Sequence, residues 1–460
     1  MKLENIKQVY FLGIGGIGMS AIARWFRAQG LPVSGYDKTR TALTNSLEEE
    51  GIRVHFEDEV SSIGEDILAN KETTLVVLTP AIPAGHKQWQ HLRDNGYTIL
   101  KRSQVLGIIT ANHFTIAVAG THGKTTTSTM VAWFLHAAGI NCTAFLGGIA
   151  ANFNSNLLLA ARPEKQVVVV EADEYDRSFL TLFPDVAVVT STDPDHLDIY
   201  GQHDELKKSF AQFVSQVKPN GVLFRQNSLD TDLKAGQTLT YSLESGDIKA
   251  VSTRAENGIF TFDVESPMGN IAGLELAVPG FHNVENALAA IGIAQQLGIS
   301  GDQIRSAVAS YKGVKRRFEY IVRTENTVYI DDYAHHPREI EAFLTSVRAL
   351  YPDRKILAIF QPHLFTRTRD FADAFAGSLS LADEVILVDI YPAREEPLTG
   401  VSSEMILNKV DVEKKMLISL GQVLDNLKKM PKLDVICTIG AGNIDTLVTP
   451  IAQLINNARP

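Results

Sequence analysis

Sulfur chemistry is scarce in this chain, which has two cysteines, Cys142 and Cys437, set far apart. That excludes a disulfide framework and a cysteine-based zinc site, and it fits a reducing cytoplasm. Long apolar runs are also missing: nowhere do about 18 apolar residues follow one another, so no membrane span is expected. The N-terminal apolar stretch is broken by Gly13, Gly15, Gly16 and Gly18, and no small-residue cleavage site follows a basic segment, so export is not expected either. Positive charge is in deficit, with 43 Lys and Arg against 53 Asp and Glu and a formal charge of -10. Nucleic acids and anionic membranes are held by clustered Lys and Arg, so neither is an expected partner. Any phosphorylated ligand must therefore be held by local groups. No repeat or low-complexity tract occurs. The chain has 460 residues, 45% hydrophobic and 21% charged, an ordinary composition for a soluble protein of about three domains.

Against that background two glycine loops stand out. Phe114–Ala119 is an apolar run, Gly120-Thr121-His122-Gly123-Lys124-Thr125-Thr126-Thr127 follows it, and an apolar-periodic segment, Met130 to Ala138, comes next. Strand, glycine loop and helix in that order turn backbone N–H groups and a helix N-terminus towards an anion. Lys124 adds a point charge, and the Thr125 hydroxyl can ligate Mg²⁺. The expected ligand is a nucleoside triphosphate, although the loop is shorter than the usual G-x-x-x-x-G-K-[ST]. The second loop, Gly13-Ile14-Gly15-Gly16-Ile17-Gly18, follows the strand-like Gln8–Leu12 and fits G-x-G-x-x-G. Leu31–Asp37 then reads as a strand ending in an acid, the position that holds a ribose in dinucleotide folds. Alone this loop points to NAD or FAD, or to a tight turn serving helix packing. Two loops imply two phosphorylated ligands.

Strand-like runs at Leu75–Thr79 and Thr98–Leu100 extend the first unit to about Ile109, and Thr110–His113 reads as a linker. Buried parallel strands are expected at Gln166–Glu171 and Val186–Thr190. From Leu239 to Ala277 short alternating strands predict an antiparallel patch. A third unit begins near Glu319, with strands at Thr327–Ile330, Lys355–Phe360 and Glu384–Val388. Expected boundaries are 1–109, 110–318 and 319–460.

Open α/β sheets place ligands at strand ends, and the polar clusters of this sequence lie there. Glu171 closes a buried run beside the phosphate loop, where its hard oxygens suit Mg²⁺. Asp173 and Asp176, in the same acidic stretch, read as a solvated turn. His196, in Thr192-Asp193-Pro194-Asp195-His196, is either a metal ligand or a capping residue. Asp331-Asp332-Tyr333-Ala334-His335-His336-Pro337 suits substrate or phosphate contact better than zinc. Gln361 to Asp370 offers Arg367 and Arg369 to phosphate or carboxylate, or else to surface ion pairs.

Taken together, Ala119–Thr127, Glu171-Ala172-Asp173-Glu174, Pro194-Asp195-His196, Gly280–Asn286, Arg316-Arg317-Phe318, Asp331–Pro337, Gln361–Asp370 and Gly440–Ile444 resemble the Mur ligases in identity and order, over nearly the whole chain. The alanine-adding branch is the most similar. This resemblance implies an α/β fold of three domains: an N-terminal Rossmann-like domain for a UDP-sugar, a central P-loop ATPase-like domain with a parallel sheet and a small antiparallel sheet, and a C-terminal Rossmann-like domain for the amino acid. It implies ATP-dependent joining of L-alanine to the lactyl carboxylate of UDP-N-acetylmuramate through an acyl phosphate, in peptidoglycan precursor synthesis, with ATP and Mg²⁺ as cofactors. The protein would be a cytoplasmic monomer or weak homodimer.

Residue by residue, the resemblance assigns Gly120, Thr121, His122, Gly123, Lys124, Thr125 and Thr126 to the triphosphate, with Lys124 on its β- and γ-phosphates. Thr125 and Glu171 would hold one Mg²⁺, and Glu171 with His196 a second. His282 and Asn286 would contact adenine, and Arg317 and Asp332 the rest of the nucleotide. His335, His363 and Arg367 would face the acyl phosphate and alanine. Gly15, Gly16, Ile17, Gly18, Met19 and Ser20 would receive the UDP diphosphate, with Asp37 and Thr79 near uridine or ribose. Three positions depart from the family pattern: Ser191 replaces an asparagine, Leu364 a basic residue, and Ala211 the carbamoylated lysine of ligases for later amino acids. Alternatives are a recycling ligase that attaches a preformed tripeptide, a nicotinamide oxidoreductase, which leaves Lys124 and His196 unexplained, and a nucleotide-switched binding protein.

Overall fold

A computed structural model describes residues 5–162, 165–195, 197–256, 258–393 and 395–457. The chain divides into two compact units, one of Met1–Lys249, Glu265–Asn270 and Asn286–Ala307, the other of Ala250–Val264, Ile271–Glu285 and Val308–Pro460.

In the first unit, β1 (Gln8–Leu12), β2 (Val33–Tyr36), β3 (Arg53–His55), β4 (Thr74–Leu78) and β5 (Thr98–Lys101) form a parallel sheet in the order β3-β2-β1-β4-β5. β1 is fully buried, and the chain leaves it through the first glycine loop into the helix Ile17–Ala28, whose Met19, Ile22, Ala23 and Phe26 face the core. Strand order reverses between β1 and β4. That switch point opens a crevice outside the strand ends, where such sheets take ligands.

A second sheet of this unit contains β6 (Phe114–Ala119), β7 (Cys142–Ala150), β8 (Ser155–Leu158), β9 (Val167–Glu171), β10 (Val186–Val189), β11 (Val222–Gln226) and β12 (Gln237–Ser242), in the order β12-β11-β10-β6-β9-β7-β8. All neighbours run parallel except β7 and β8. The Val-rich runs of β9 and β10 are continuous because both faces of a parallel sheet are covered. β6 again sits between neighbours that the chain reaches in opposite directions, so its loop opens into the second crevice.

One expectation is corrected. The antiparallel patch does not begin at Leu239, since β12 pairs parallel with β11 from Val222↔Gln237 to Gln226↔Tyr241. Antiparallel pairing in that region joins β14 (Ile259–Glu265) to β15 (Ile271–Leu276), after β13 (Ile248–Glu256). The strands β3, β7 and β8 were not anticipated.

The second unit contains β14 and β15, and a sheet of β16 (Glu319–Arg323), β17 (Val328–Asp332), β18 (Ile356–Phe360), β19 (Glu384–Leu387), β20 (Lys414–Leu417) and β21 (Val435–Ile439), ordered β16-β17-β21-β18-β19-β20. Only β16 is antiparallel to its neighbour. β17, β21 and β18 therefore end side by side, bringing Asp332, Gly440 and Gln361 to one sheet edge. Among the described residues no helix is long and apolar enough to cross a membrane.

Candidate active site

The triphosphate loop is set by two glycines that no other residue could replace cheaply. Gly120 and Gly123 adopt φ of +133° and +81°. A Cβ on Gly120 would lie 2.8 Å from the Ser191 amide nitrogen, and one on Gly123 would lie 2.6 Å from Asn286 Oδ1. Ser191 braces the loop from the end of β10: its carbonyl accepts from the Thr121 N–H at 3.1 Å and its hydroxyl accepts from the His122 N–H at 2.9 Å. The Thr121 and Ser191 hydroxyls are 2.7 Å apart. Asn286 Oδ1 accepts from the Thr127 hydroxyl at 3.1 Å, tying it to the first turns of the helix Lys124–Ala137.

Lys124 Nζ donates to the Gly120 carbonyl at 2.7 Å and pairs with Glu174 Oε2 at 2.8 Å. Glu174 is fully buried, and its carbonyl accepts from the Tyr200 hydroxyl at 2.6 Å. Burial alone would lower the Lys124 pKa, but Glu174, then Asp173 and Glu171, outweigh it and hold the ammonium above the ordinary lysine range. Glu174 is the residue that sequence reading passed over, because four acids in six positions read alike until the fold buries one of them. Asp173 and Asp176 lie partly exposed in the turn, as expected, and each also makes an ion pair, Asp173 with Arg102 at 3.2 Å and Asp176 with Lys101 at 3.2 Å.

Glu171 lies at the C-terminal end of β9, in register with Val118 of β6, one residue before the strand that feeds the loop ends. Its carboxylate lies flat against Gly147, where a Cβ would collide with it. Thr125 is the second residue of the helix Lys124–Ala137. A carboxylate at the end of β9 and a hydroxyl in the first turn of that helix are the hard oxygen donors that Mg²⁺ takes, one or two from protein with its shell completed by phosphate and water. Among the described residues no group of three His, Cys, Asp or Glu gathers as a metal cage. His196 lies outside the described residues.

At the first loop, the Gly13 and Ile14 N–H groups donate to the Tyr36 carbonyl at 2.8 and 2.9 Å. Gly15 N–H donates to Asp37 Oδ2 at 2.7 Å, so Asp37 caps the loop backbone. A Cβ on Gly13 would strike the Thr79 methyl at 2.5 Å, which places Thr79 directly over the loop. Gly16 is exposed, whereas Ile17 and Gly18 are half-buried. Met19 and Ser20 are buried, and the Ser20 hydroxyl is occupied by the Ile17 carbonyl at 2.9 Å and Asn156 Nδ2 at 2.9 Å. Their side chains therefore pack the helix rather than face the crevice.

In the second unit Asp332 accepts from the Phe318 N–H at 2.6 Å and the Ala334 N–H at 2.7 Å. Burial pushes its pKa up to about 7 against the pull of Arg317. His282 is drawn down to about 4 by burial and then by Arg317, with Glu339 opposing. Arg317 lies over the Tyr333 ring at 5.0 Å and reaches Glu339 at 3.9 Å. His335 donates its backbone N–H to Glu339 at 2.9 Å and meets the His363 ring at 6.0 Å. His282, Arg317, Asp332, His335 and Glu339 thus share one electrostatic neighbourhood. His336 is instead a helix cap: with Pro337 and Glu339 it completes a capping box on Pro337–Leu350. Arg367 is buried in the first turn of Phe365–Leu379, whereas Arg369 is exposed and paired with Asp370 at 2.7 Å. Leu364, just before that helix, is buried with φ of +70°, an uncommon conformation for leucine that marks local strain.

A phosphate loop with its lysine, a second glycine loop at a switch point and a third sheet edge bearing acid, arginine and histidines define a nucleotide-dependent α/β enzyme. The chain belongs to the Mur ligase family. The family's catalytic domain matches residues 8–114, the Mur ligase middle domain residues 118–294, and the glutamate ligase domain residues 316–442. ATP dependence goes with that membership. The UDP-N-acetylmuramate–L-alanine ligase of Flavobacterium johnsoniae is 49% identical over 456 residues, covering 99% of each chain. Among solved structures, the UDP-N-acetylmuramate–alanine ligase of Thermotoga maritima has a TM-score of 0.83 at 27% identity, covering 98% of this chain and 100% of its own. The murein peptide ligase of Psychrobacter arcticus has a TM-score of 0.68 at 25% identity, covering 99% and 100%.

Proposed function

We propose that this enzyme joins L-alanine to the lactyl carboxylate of UDP-N-acetylmuramate with hydrolysis of ATP to ADP and phosphate, in the cytoplasm, for peptidoglycan precursor synthesis. The observation that carries the reading is a largely buried Lys124, paired with Glu174 and under the field of Glu171, in a full-length relative of alanine-adding ligases. A carboxylate resists attack by an amine. One of its oxygens therefore attacks the γ-phosphorus, ADP leaves, and the resulting acyl phosphate accepts the alanine amine at its carbonyl carbon. Phosphate then departs with the oxygen that the carboxylate supplied.

Lys124 neutralises charge on the β- and γ-phosphates, a role preorganised by its fixed position. Gly120, Thr121, His122, Gly123, Thr125 and Thr126 form the cradle. Mg²⁺ held by Thr125 and Glu171 would spread phosphate charge, and Glu171 with His196 would hold a second ion. His282 and Asn286 serve adenine, Arg317 and Asp332 the remaining nucleotide, and His335, His363 and Arg367 the acyl phosphate and alanine. Gly15 to Ser20, Asp37 and Thr79 serve UDP, chiefly through backbone. Boundaries at 109/110 and 318/319 suit these roles.

The test is phosphate release with ATP, Mg²⁺, UDP-N-acetylmuramate and L-alanine, omitting each in turn. All are expected to be required. Preference for a preformed tripeptide over alanine would favour the recycling ligase, and release without any acceptor would overturn ligation.

A further inference from the structure

Arg102 opens the helix Arg102–Thr110 and reaches both the first glycine loop, at Gly18, and the acidic turn that follows β9, at Asp173. Its guanidinium lies on the backbone of Gly18, where a Cβ would fall 2.6 Å from Nη1, and Nη2 donates to Asp173 Oδ2 at 3.2 Å. Asp173 also accepts from the Tyr175 N–H at 3.1 Å. The next residue is Glu174, which holds Lys124. Asp176 and Arg177 complete this turn with φ of +53° and +55°, uncommon for side-chain-bearing residues. Beside Arg102 lies a cavity of about 80 Å³ whose lining includes Gly18, Phe145, Gly147, Glu171 and Asp173.

We infer that Arg102 is a positioning residue that couples the two nucleotide loops by exchanging Asp173 for an anionic group of the UDP-sugar. This rests on the function proposed above. An anion entering beside Gly18 meets a guanidinium already engaged by one carboxylate, so the two compete. Once Arg102 turns to the substrate, the acidic turn loses an anchor and Glu174 holds Lys124 less firmly. Lys124 is then freer to take the triphosphate. UDP-sugar binding should therefore raise ATP affinity, and ATP must raise UDP-sugar affinity by the same factor. Asp173 acts as the internal competitor.

Calorimetry decides, using UDP-N-acetylmuramate and a non-hydrolysable ATP analogue, each measured alone and with the other saturating, on wild type, Arg102→Gln, Arg102→Lys and Asp173→Asn. Wild type should show a coupling of about fivefold or more. Arg102→Gln should weaken the UDP-sugar about tenfold or more and bring the coupling to one, with partial recovery in Arg102→Lys. Asp173→Asn should tighten the UDP-sugar and also abolish coupling, a result that mere loss of structure would not give. Should Arg102→Gln fail to fold, Asp173→Asn decides by itself. Unchanged UDP-sugar affinity in a folded Arg102→Gln, or full coupling in Asp173→Asn, overturns the inference. If wild type binds both ligands independently, only the coupling fails; if it does not bind the UDP-sugar, the functional reading fails as well.

Discussion

Lys124 shows how much one side chain can be asked to do. Its ammonium is largely withdrawn from water, and a charge there without a partner is costly, so Glu174 and two loop carbonyls hold it. Lys124→Ala is expected to lose at least two orders of magnitude in ligation, since a group facing developing phosphoryl charge is commonly worth about 3 kcal/mol. UDP-N-acetylmuramate binding should survive, and near-normal turnover at saturating ATP would remove the phosphate-loop assignment. Gly15 makes the complementary case. A Cβ there would sit 2.7 Å from the Thr44 methyl and 2.8 Å from Asp37 Oδ2, so Gly15→Val should displace Asp37 and spoil the loop. Weakened UDP-sugar binding with ATP affinity intact is the expected calorimetric result; equal losses would mean that the two loops are not separable. Ser191, noted in the sequence only as a departure from the family pattern, holds two residues of the ATP loop at once.

At the scale of elements, both loops leave central strands at points where strand order reverses, and that placement was legible because β1, β6, β9 and β10 are continuous apolar runs. The short β3 and the strands β7 and β8 were not. β3 has three residues, one of them an exposed arginine, and β7 is interrupted by Gly147 and Gly148, so neither gives a clean hydrophobic signal. Lys124 stands out by its glycine loop, and Glu171 and Asp332 stand out as polar residues ending apolar runs. Glu174, Arg102 and Asn156 do not, because their partners are remote in sequence: Lys124, Asp173 and Ser20. The edge of the second unit's sheet also carries a pH signature. Asp332, at about 7, keeps in the fold a proton that the unfolded chain gives up near 3.9, so its contribution is present below about pH 4 and lost as pH rises through 7. His282, at about 4, has released a proton that the unfolded chain keeps until about 6.5, so its contribution grows as pH rises over that interval. The slopes oppose one another. Denaturant melts between pH 4 and 7 should show Asp332→Asn gaining stability with pH and His282→Gln losing it, relative to wild type; identical slopes in all three would contradict this account.

For the whole molecule, the residues proposed for the reaction divide between the two units: Lys124, Thr125, Glu171 and Asn286 belong to the first, and His282, Arg317, Asp332, His335, His363 and Arg367 to the second. Net charge of -10 contributes nothing to holding a triphosphate, so affinity must come from these local groups. Arg367→Ala should therefore depress ligation roughly tenfold more than it weakens nucleotide binding, because its guanidinium is assigned to the reacting end rather than the nucleotide. Equal losses in steady-state kinetics and in nucleotide affinity would move Arg367 away from the chemistry. The central claim is that the lactyl carboxylate is activated as an acyl phosphate. UDP-N-acetylmuramate labelled with oxygen-18 in that carboxylate, incubated with the enzyme, ATP, Mg²⁺ and L-alanine, tests it most directly. Mass spectrometry should find one labelled oxygen in each phosphate released with amide formation, and phosphate without label would contradict the account.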